Sequence, residues 1–168
     1  MRATAVNVHA SCVRLGRAGA ALGAPRDAGV LLLGDSGAGK SDLALRLIAL
    51  GAELVADDRV DLFVTRGRLA ARAPRVTRGL IEIRGLGIVE IPYTEQVRVT
   101  LAAQLVHKTV ERLPRHDVYV PPAGIALPAS ARPPLIRIAG FEISAAQKLI
   151  AAAAAFPHRL FRDAVKAR

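Results

Sequence analysis

The strongest constraint on this chain is the junction of Val30-Leu31-Leu32-Leu33 with Gly34-Asp35-Ser36-Gly37-Ala38-Gly39-Lys40-Ser41. A continuous apolar run of this kind reads as a strand buried on both faces. The eight residues after it satisfy the phosphate-binding pattern G-x-x-x-x-G-K-[ST] at every fixed position. Asp42 to Leu50 then places Leu43, Leu47 and Leu50 at helical spacing, with Ala44 and Ile48 beside them. Gly51 stands where a helix C-terminal glycine belongs. The loop therefore joins a strand to a helix N-terminus.

Glycines allow such a loop to curl until several N–H groups face one point. Those donors and the helix dipole favour an anion there. Lys40 would reach the outer phosphates of a nucleotide, and Ser41 would offer its hydroxyl to Mg2+. Gly34 to Ser41 are the candidate nucleotide-binding residues; the plainer alternative is an ordinary Gly-rich turn.

At 168 residues, 52% hydrophobic and 23% charged, the chain suits one globular domain spanning residues 1–168. The lone Cys12 cannot pair within the chain, which fits a small buried side chain in a reducing compartment. Met1-Arg2 leads into a short mixed segment rather than an apolar leader. No apolar run approaches the length of a bilayer span, so a cytoplasmic, membrane-free protein is expected. The net charge of +10 favours phosphorylated or acidic partners. Scattered arginines and only 4% aromatic residues argue against nucleic acid as the partner.

Around the central unit the pattern is mostly β. Thr4 to Val8 and Cys12 to Leu15 read as short strands, followed by a Gly- and Ala-rich loop, Gly16 to Gly29. Leu54-Val55-Ala56 is a strand ending on Asp57-Asp58. Leu62-Phe63-Val64 and Leu69-Ala70-Ala71 form a hairpin about a turn at Arg66-Gly67-Arg68. Leu80 to Ile88 reads as strand, turn, strand. Val97, Val99, Leu101, Ala103 and Leu105 alternate with mostly polar residues, as in a half-buried strand. Pro114 to Pro134 is irregular, and Leu135 to Ile138 is a late strand. Ser144 to Ala155 is a helix with Ser144 as N-cap and Ile143, Leu149 and Ile150 facing inward. Short turns between strands imply an α/β fold whose mixed sheet surrounds the strand–loop–helix unit.

Two carboxylates end the strand at Asp57-Asp58. Such a pair serves a metal–nucleotide site, one carboxylate holding Mg2+ through water and the other taking a proton from an attacking hydroxyl. A solvated turn, or an N-cap-like pair, is the other reading. Glu82 and Arg84 share one strand face, either as a simple exposed ion pair or as a metal-side carboxylate with an arginine near phosphate. His9 alone, at a strand end, reads as structural, and spacing says nothing about Arg112.

Three segments together are more specific: Gly34 to Ser41, Leu54-Val55-Ala56-Asp57-Asp58-Arg59-Val60, and Ile81-Glu82-Ile83-Arg84-Gly85-Leu86-Gly87-Ile88. Their combination resembles the HPr kinase/phosphorylase family, in a short form consisting of the catalytic domain. The match is strongest from Gly29 to Glu90 and extends from His9 to about Ala155. The resemblance implies a fold related to ATP-dependent phosphoenolpyruvate carboxykinase. It implies an ATP- and Mg2+-dependent kinase for a serine of HPr, the phosphocarrier of the sugar phosphotransferase system, with phosphorolysis as the reverse reaction. It also implies homo-oligomers, hexameric in longer members.

Carried over by motif, Lys40 contacts phosphates, and Ser41, Asp57 and Glu82 surround Mg2+. Asp58 is implied as general base, His9 as the catalytic histidine, and Arg112, in Glu111-Arg112-Leu113, as the catalytic arginine. The chain departs from the family in a longer Arg14–Gly29 loop and in Leu135-Ile136-Arg137-Ile138-Ala139-Gly140, which lacks the P-x-R-P-G-R-N-like stretch tied to dephosphorylation. Two other functions fit the residues: a nucleotide-binding regulatory module without phosphotransfer, and a kinase for a small-molecule hydroxyl.

Overall fold

The structure is a computed structural model that describes residues 4–161; Met1 and Arg2 lie outside the described residues. This part of the chain holds eleven strands and two α-helices, one helix after β3 and the other after β11. The strands are β1 (Val6–His9), β2 (Ser11–Arg14), β3 (Gly29–Leu33), β4 (Glu53–Ala56), β5 (Arg59–Thr65), β6 (Arg68–Arg72), β7 (Leu80–Ile83), β8 (Gly87–Glu90), β9 (Gln96–Val106), β10 (Asp117–Val118) and β11 (Pro134–Ala139). Helix α1 is Lys40–Ala49 and helix α2 is Ala145–His158.

Nine strands make one mixed sheet, ordered β1-β5-β6-β9-β3-β2-β4, with β11 added on β9 and β10 on β11. β7 and β8 pair separately as a hairpin. β3, β9 and β11 run parallel, so their C-terminal ends lie on one side of the sheet. The expected α/β class and mixed sheet are what the structure has.

The run Val30–Leu33 lacks alternation because β3 lies inside the sheet with a core on each face. Val30 and Leu32 pack into a cluster with Leu43 and Leu47 of α1 and Leu149 of α2. Leu31 packs on the other side with Val55, Val60 and Leu62. Cys12 is fully buried in that second cluster, and burial raises its thiol pKa, so it acts there as a small apolar side chain.

Strand β9 differs from the half-buried strand its alternation suggests. Gly29 pairs with Val99 but Val30 pairs with Leu101, so Thr100 is an extra residue in β9. The odd-numbered side chains consequently change faces. Val97 and Val99 join the core away from the helices, whereas Leu101, Ala103 and Leu105 join the helix-side core.

Two apolar positions near helix ends lie outside the core, Ile143 against its expected inward placement. Leu50 is half exposed because the helix ends there and the chain turns at Gly51, whose φ is +104°. Ile143 is 95% exposed, in the turn before α2, while Leu149 and Ile150 are buried as expected. Ser144 occupies the N-cap of α2 but makes no side-chain capping bond, and the helix runs past Ala155 to His158. Among the described residues, no helix is long and apolar enough to cross a membrane.

Candidate active site

The phosphate loop leaves β3 at Leu33 and turns into α1 through Gly39, which has φ of +91°. That left-handed conformation favours glycine. The Gly39 carbonyl accepts the first helical bond, from Leu43 N–H at 2.9 Å. Lys40 is buried and folds back over the loop, where its Nζ donates to the carbonyls of Gly34 (2.8 Å) and Asp35 (2.9 Å). Burial pushes its ammonium below the ordinary lysine value, and the charges of Asp58, Asp57 and Asp35 oppose that shift. Two loop carbonyls thus hold the Lys40 Nζ beside the loop.

Strand β4 delivers the acidic pair. Asp57 is buried, and its carboxylate collects three donors from three other segments. Ser11 Oγ donates to Oδ1 at 2.6 Å, Ser41 Oγ donates to Oδ1 at 2.9 Å, and the Glu82 backbone N–H donates to Oδ2 at 3.1 Å. Burying a carboxylate without such donors would be costly. Asp57 thus ties the phosphate loop to β2 and to the β7–β8 hairpin.

Asp58 faces the other way, into solvent. Its φ of +62° is unusual for a residue with a side chain, and aspartate is among the few that tolerate it. Arg59 N–H donates to the Asp57 carbonyl at 2.7 Å, which closes the tight turn. His9, at the end of β1, lies against it. His9 Nδ1 is 3.0 Å from the Asp58 carbonyl oxygen and 3.2 Å from its carboxylate. β1 pairs with β5 so that His9 is opposite Arg59, which places the ring at the turn.

These groups open on one cavity of about 280 Å³. Its wall includes Lys40, Ser41, Asp58, His9, Glu82 and Arg84, together with Ser36, Gly37 and Gly39 of the loop. The fold brings nearly all candidate residues to one place. Gly34, Asp35 and Ala38 support the loop without lining the cavity, and Asp57 sits behind it. Arg112 is the exception: it is exposed in the irregular segment between β9 and β10 and is not part of the wall. Glu82 and Arg84 share the rim without forming an ion pair among the described residues.

Comparison with known proteins bears on the same residues. The family model described as HPr Serine kinase C-terminal domain matches residues 21–128. The chain belongs to that family. Within it, an HPr kinase/phosphorylase of Caldicellulosiruptor bescii is 42% identical over 117 residues, covering 62% of this chain and 38% of that protein. One from Leptothrix cholodnii is 41% identical over 104 residues, covering 54% and 32%. The chain thus spans well under half the length of these relatives. The solved structure of the Hpr(Ser) kinase/phosphatase from Coxiella burnetii aligns with a TM-score of 0.66 at 26% identity, covering 92% of this chain and 97% of that one.

The family motifs account for the loop, the acidic pair and Glu82, but several site residues carry no motif. Ser11 is one: a polar residue between Ala10 and Cys12 that is itself fully buried, where a hydroxyl needs a partner. Phe141, Leu45 and Ile83 also line the cavity, and no spacing rule singled them out. Arg46 lies outside the wall but grips the turn that carries Phe141. Its guanidinium donates to the carbonyls of Glu142 and Gly140.

Proposed function

We propose that this chain is a single catalytic domain that transfers the γ-phosphoryl group of ATP to a serine of an HPr-like phosphocarrier protein in the cytoplasm. The observation that supports this most is the convergence on one cavity of Lys40 and Ser41 from the phosphate loop and of Asp58 with His9. A phosphate site and an exposed carboxylate are the two parts that phosphoryl transfer to a hydroxyl requires.

In this reading the loop N–H groups and Lys40 hold the β- and γ-phosphates. Asp58 accepts the proton of the serine hydroxyl as its oxygen attacks the γ-phosphorus, and ADP leaves. His9, bonded to Asp58, keeps that carboxylate aimed into the cavity. In reverse, inorganic phosphate attacks the phosphoserine phosphorus, Asp58 returns the proton to the serine oxygen, and pyrophosphate is formed. Arg112 stands outside the cavity wall and takes no part in this reading.

The donor set fits Mg2+. Ser41, Asp57, Asp58 and Glu82 offer oxygen ligands alone. That suits an ion that takes one or two carboxylates and fills its remaining positions with phosphate oxygens and water. Ser41 and Asp57, with Glu82 at the rim, would hold it, and its chemistry would be to neutralise charge on the phosphates. By the same family likeness the working form is a homo-oligomer.

The test is transfer of label from γ-labelled ATP to purified HPr with Mg2+, beside Lys40→Ala and an HPr whose acceptor serine is alanine. Transfer that disappears with either change supports the proposal; adding inorganic phosphate then measures the reverse reaction. Mg2+-dependent ATP binding with no transfer to HPr overturns it.

A further inference from the structure

Phe141 lines the cavity beside the phosphate loop, yet phosphoryl transfer as described gives its ring nothing to do. The residue is 61% exposed although large apolar side chains gain by burial. It is also placed by design of the surroundings rather than left loose. A Cβ at position 39 would lie 3.0 Å from the ring atoms Cε1 and Cζ, so the ring edge rests directly on Gly39. Gly140, just before it, sits so close that a Cβ there would be 2.6 Å from the Ala38 carbonyl oxygen. Arg46 of α1 donates to the carbonyls of Gly140 and Glu142, on either side of Phe141. One guanidinium therefore clamps both flanks of the ring to the helix that starts at the phosphate loop.

The topology says what such a ring meets. β3, β9 and β11 are parallel, and their C-terminal ends carry the phosphate loop, His107 and the Gly140–Phe141 turn respectively. Ligands of open α/β sheets bind along such an edge. The His107 and Phe141 rings have centroids 6.5 Å apart, so flat π-surfaces gather at the ends of β9 and β11. Phe141 and Leu45 add apolar surface to a cavity whose other walls bind charge. A nucleotide held by its phosphates at Lys40 and Ser41 has one remaining flat, apolar part.

We infer that Phe141 is the platform on which the base of the bound nucleotide stacks, with Arg46 as the residue that positions it. This rests on the nucleotide reading above and adds where the nucleoside lies. Stacking on one face is tolerant of base identity, because every base has a π-face. The turn between β11 and α2 is then the nucleoside side of the site, and β4 with the β7–β8 hairpin is the acceptor side.

The experiment compares ATP with inorganic tripolyphosphate, each with Mg2+, by calorimetric titration of the unsubstituted chain, Phe141→Ala and Phe141→Trp. Phe141→Ala is expected to weaken ATP about tenfold or more while tripolyphosphate changes by less than about twofold. The natural chain has no Trp, so Phe141→Trp adds a single indole. Its emission is expected to be quenched by ATP and not by tripolyphosphate, with ATP affinity retained. Equal weakening of both ligands by Phe141→Ala, unchanged ATP affinity, or an indole indifferent to ATP overturns the assignment while leaving the phosphate site intact. Failure of the unsubstituted chain to bind either ligand removes the nucleotide reading itself and this assignment with it.

Discussion

Ser11 and Asp57 are joined by a 2.6 Å hydrogen bond inside the protein, from the β2 strand to the end of β4. The same carboxylate oxygen accepts from Ser41 of the phosphate loop, so Ser11 fixes a group that in turn fixes the loop. Ser11→Ala removes one donor from a buried carboxylate. The expected loss is about 2 kcal/mol of stability, read from urea unfolding. A variant as stable as the natural chain would mean that the bond contributes nothing net.

Asp58 is exposed and left-handed, so its carboxylate can be changed without disturbing a core. Asp58→Asn keeps the shape and a residue type that tolerates this backbone. It is expected to lower transfer to HPr by about a hundredfold or more, as loss of a general base does. ATP affinity, measured by titration, should stay close to that of the natural chain. Parallel loss of binding and turnover would count against Asp58 as the base.

The loop and the acidic pair were legible in the sequence because their signal is local. Gly34 to Ser41 and Asp57-Asp58 are each marked out within a few residues, and the apolar run before the loop declares its burial. What escaped was set by contacts between distant segments. Nothing near Ser11 announces Asp57, and nothing near Phe141 announces Gly39 or Arg46. The switch of faces in β9 depends on Thr100 being passed over by β3, which alternation within β9 alone cannot register. Arg112 came from a short motif match, and the tertiary structure puts it outside the cavity wall.

Glu53 supplies a pH signature away from the candidate site. Hydrogen bonds from Thr94 and then Arg14 hold its carboxyl below the ordinary glutamate value. A depressed carboxyl stabilises the fold above its unfolded value and loses that contribution as pH falls through the folded one. Thermal stability of the natural chain should therefore decline more steeply below about pH 5 than that of Glu53→Gln. Identical acid profiles would show that the network is too solvent-exposed to contribute.

Gly140 offers a contrast to Phe141. A Cβ there would stand 2.6 Å from the Ala38 carbonyl oxygen and 2.8 Å from Leu105 Cδ2. Gly140→Ala must push the phosphate loop or the turn aside, at about 1–3 kcal/mol of stability by the usual toll of overpacking. ATP and tripolyphosphate affinities should fall together, since the loop itself is displaced. A loss confined to ATP would mean that the turn moves and the loop does not.

The position of β9 between β6 and β3 has a consequence for the time course of folding. The phosphate loop is backed by residues made much later in the chain: Leu105 packs on Gly34, and Gly140 packs on Ala38. Pairings across such separations form slowly. A growing chain that has reached only the β7–β8 hairpin carries the whole nucleotide motif but lacks the supports that shape it. Nucleotide would then recognise the finished sheet alone, slowing its unfolding while leaving the rate of folding nearly unchanged.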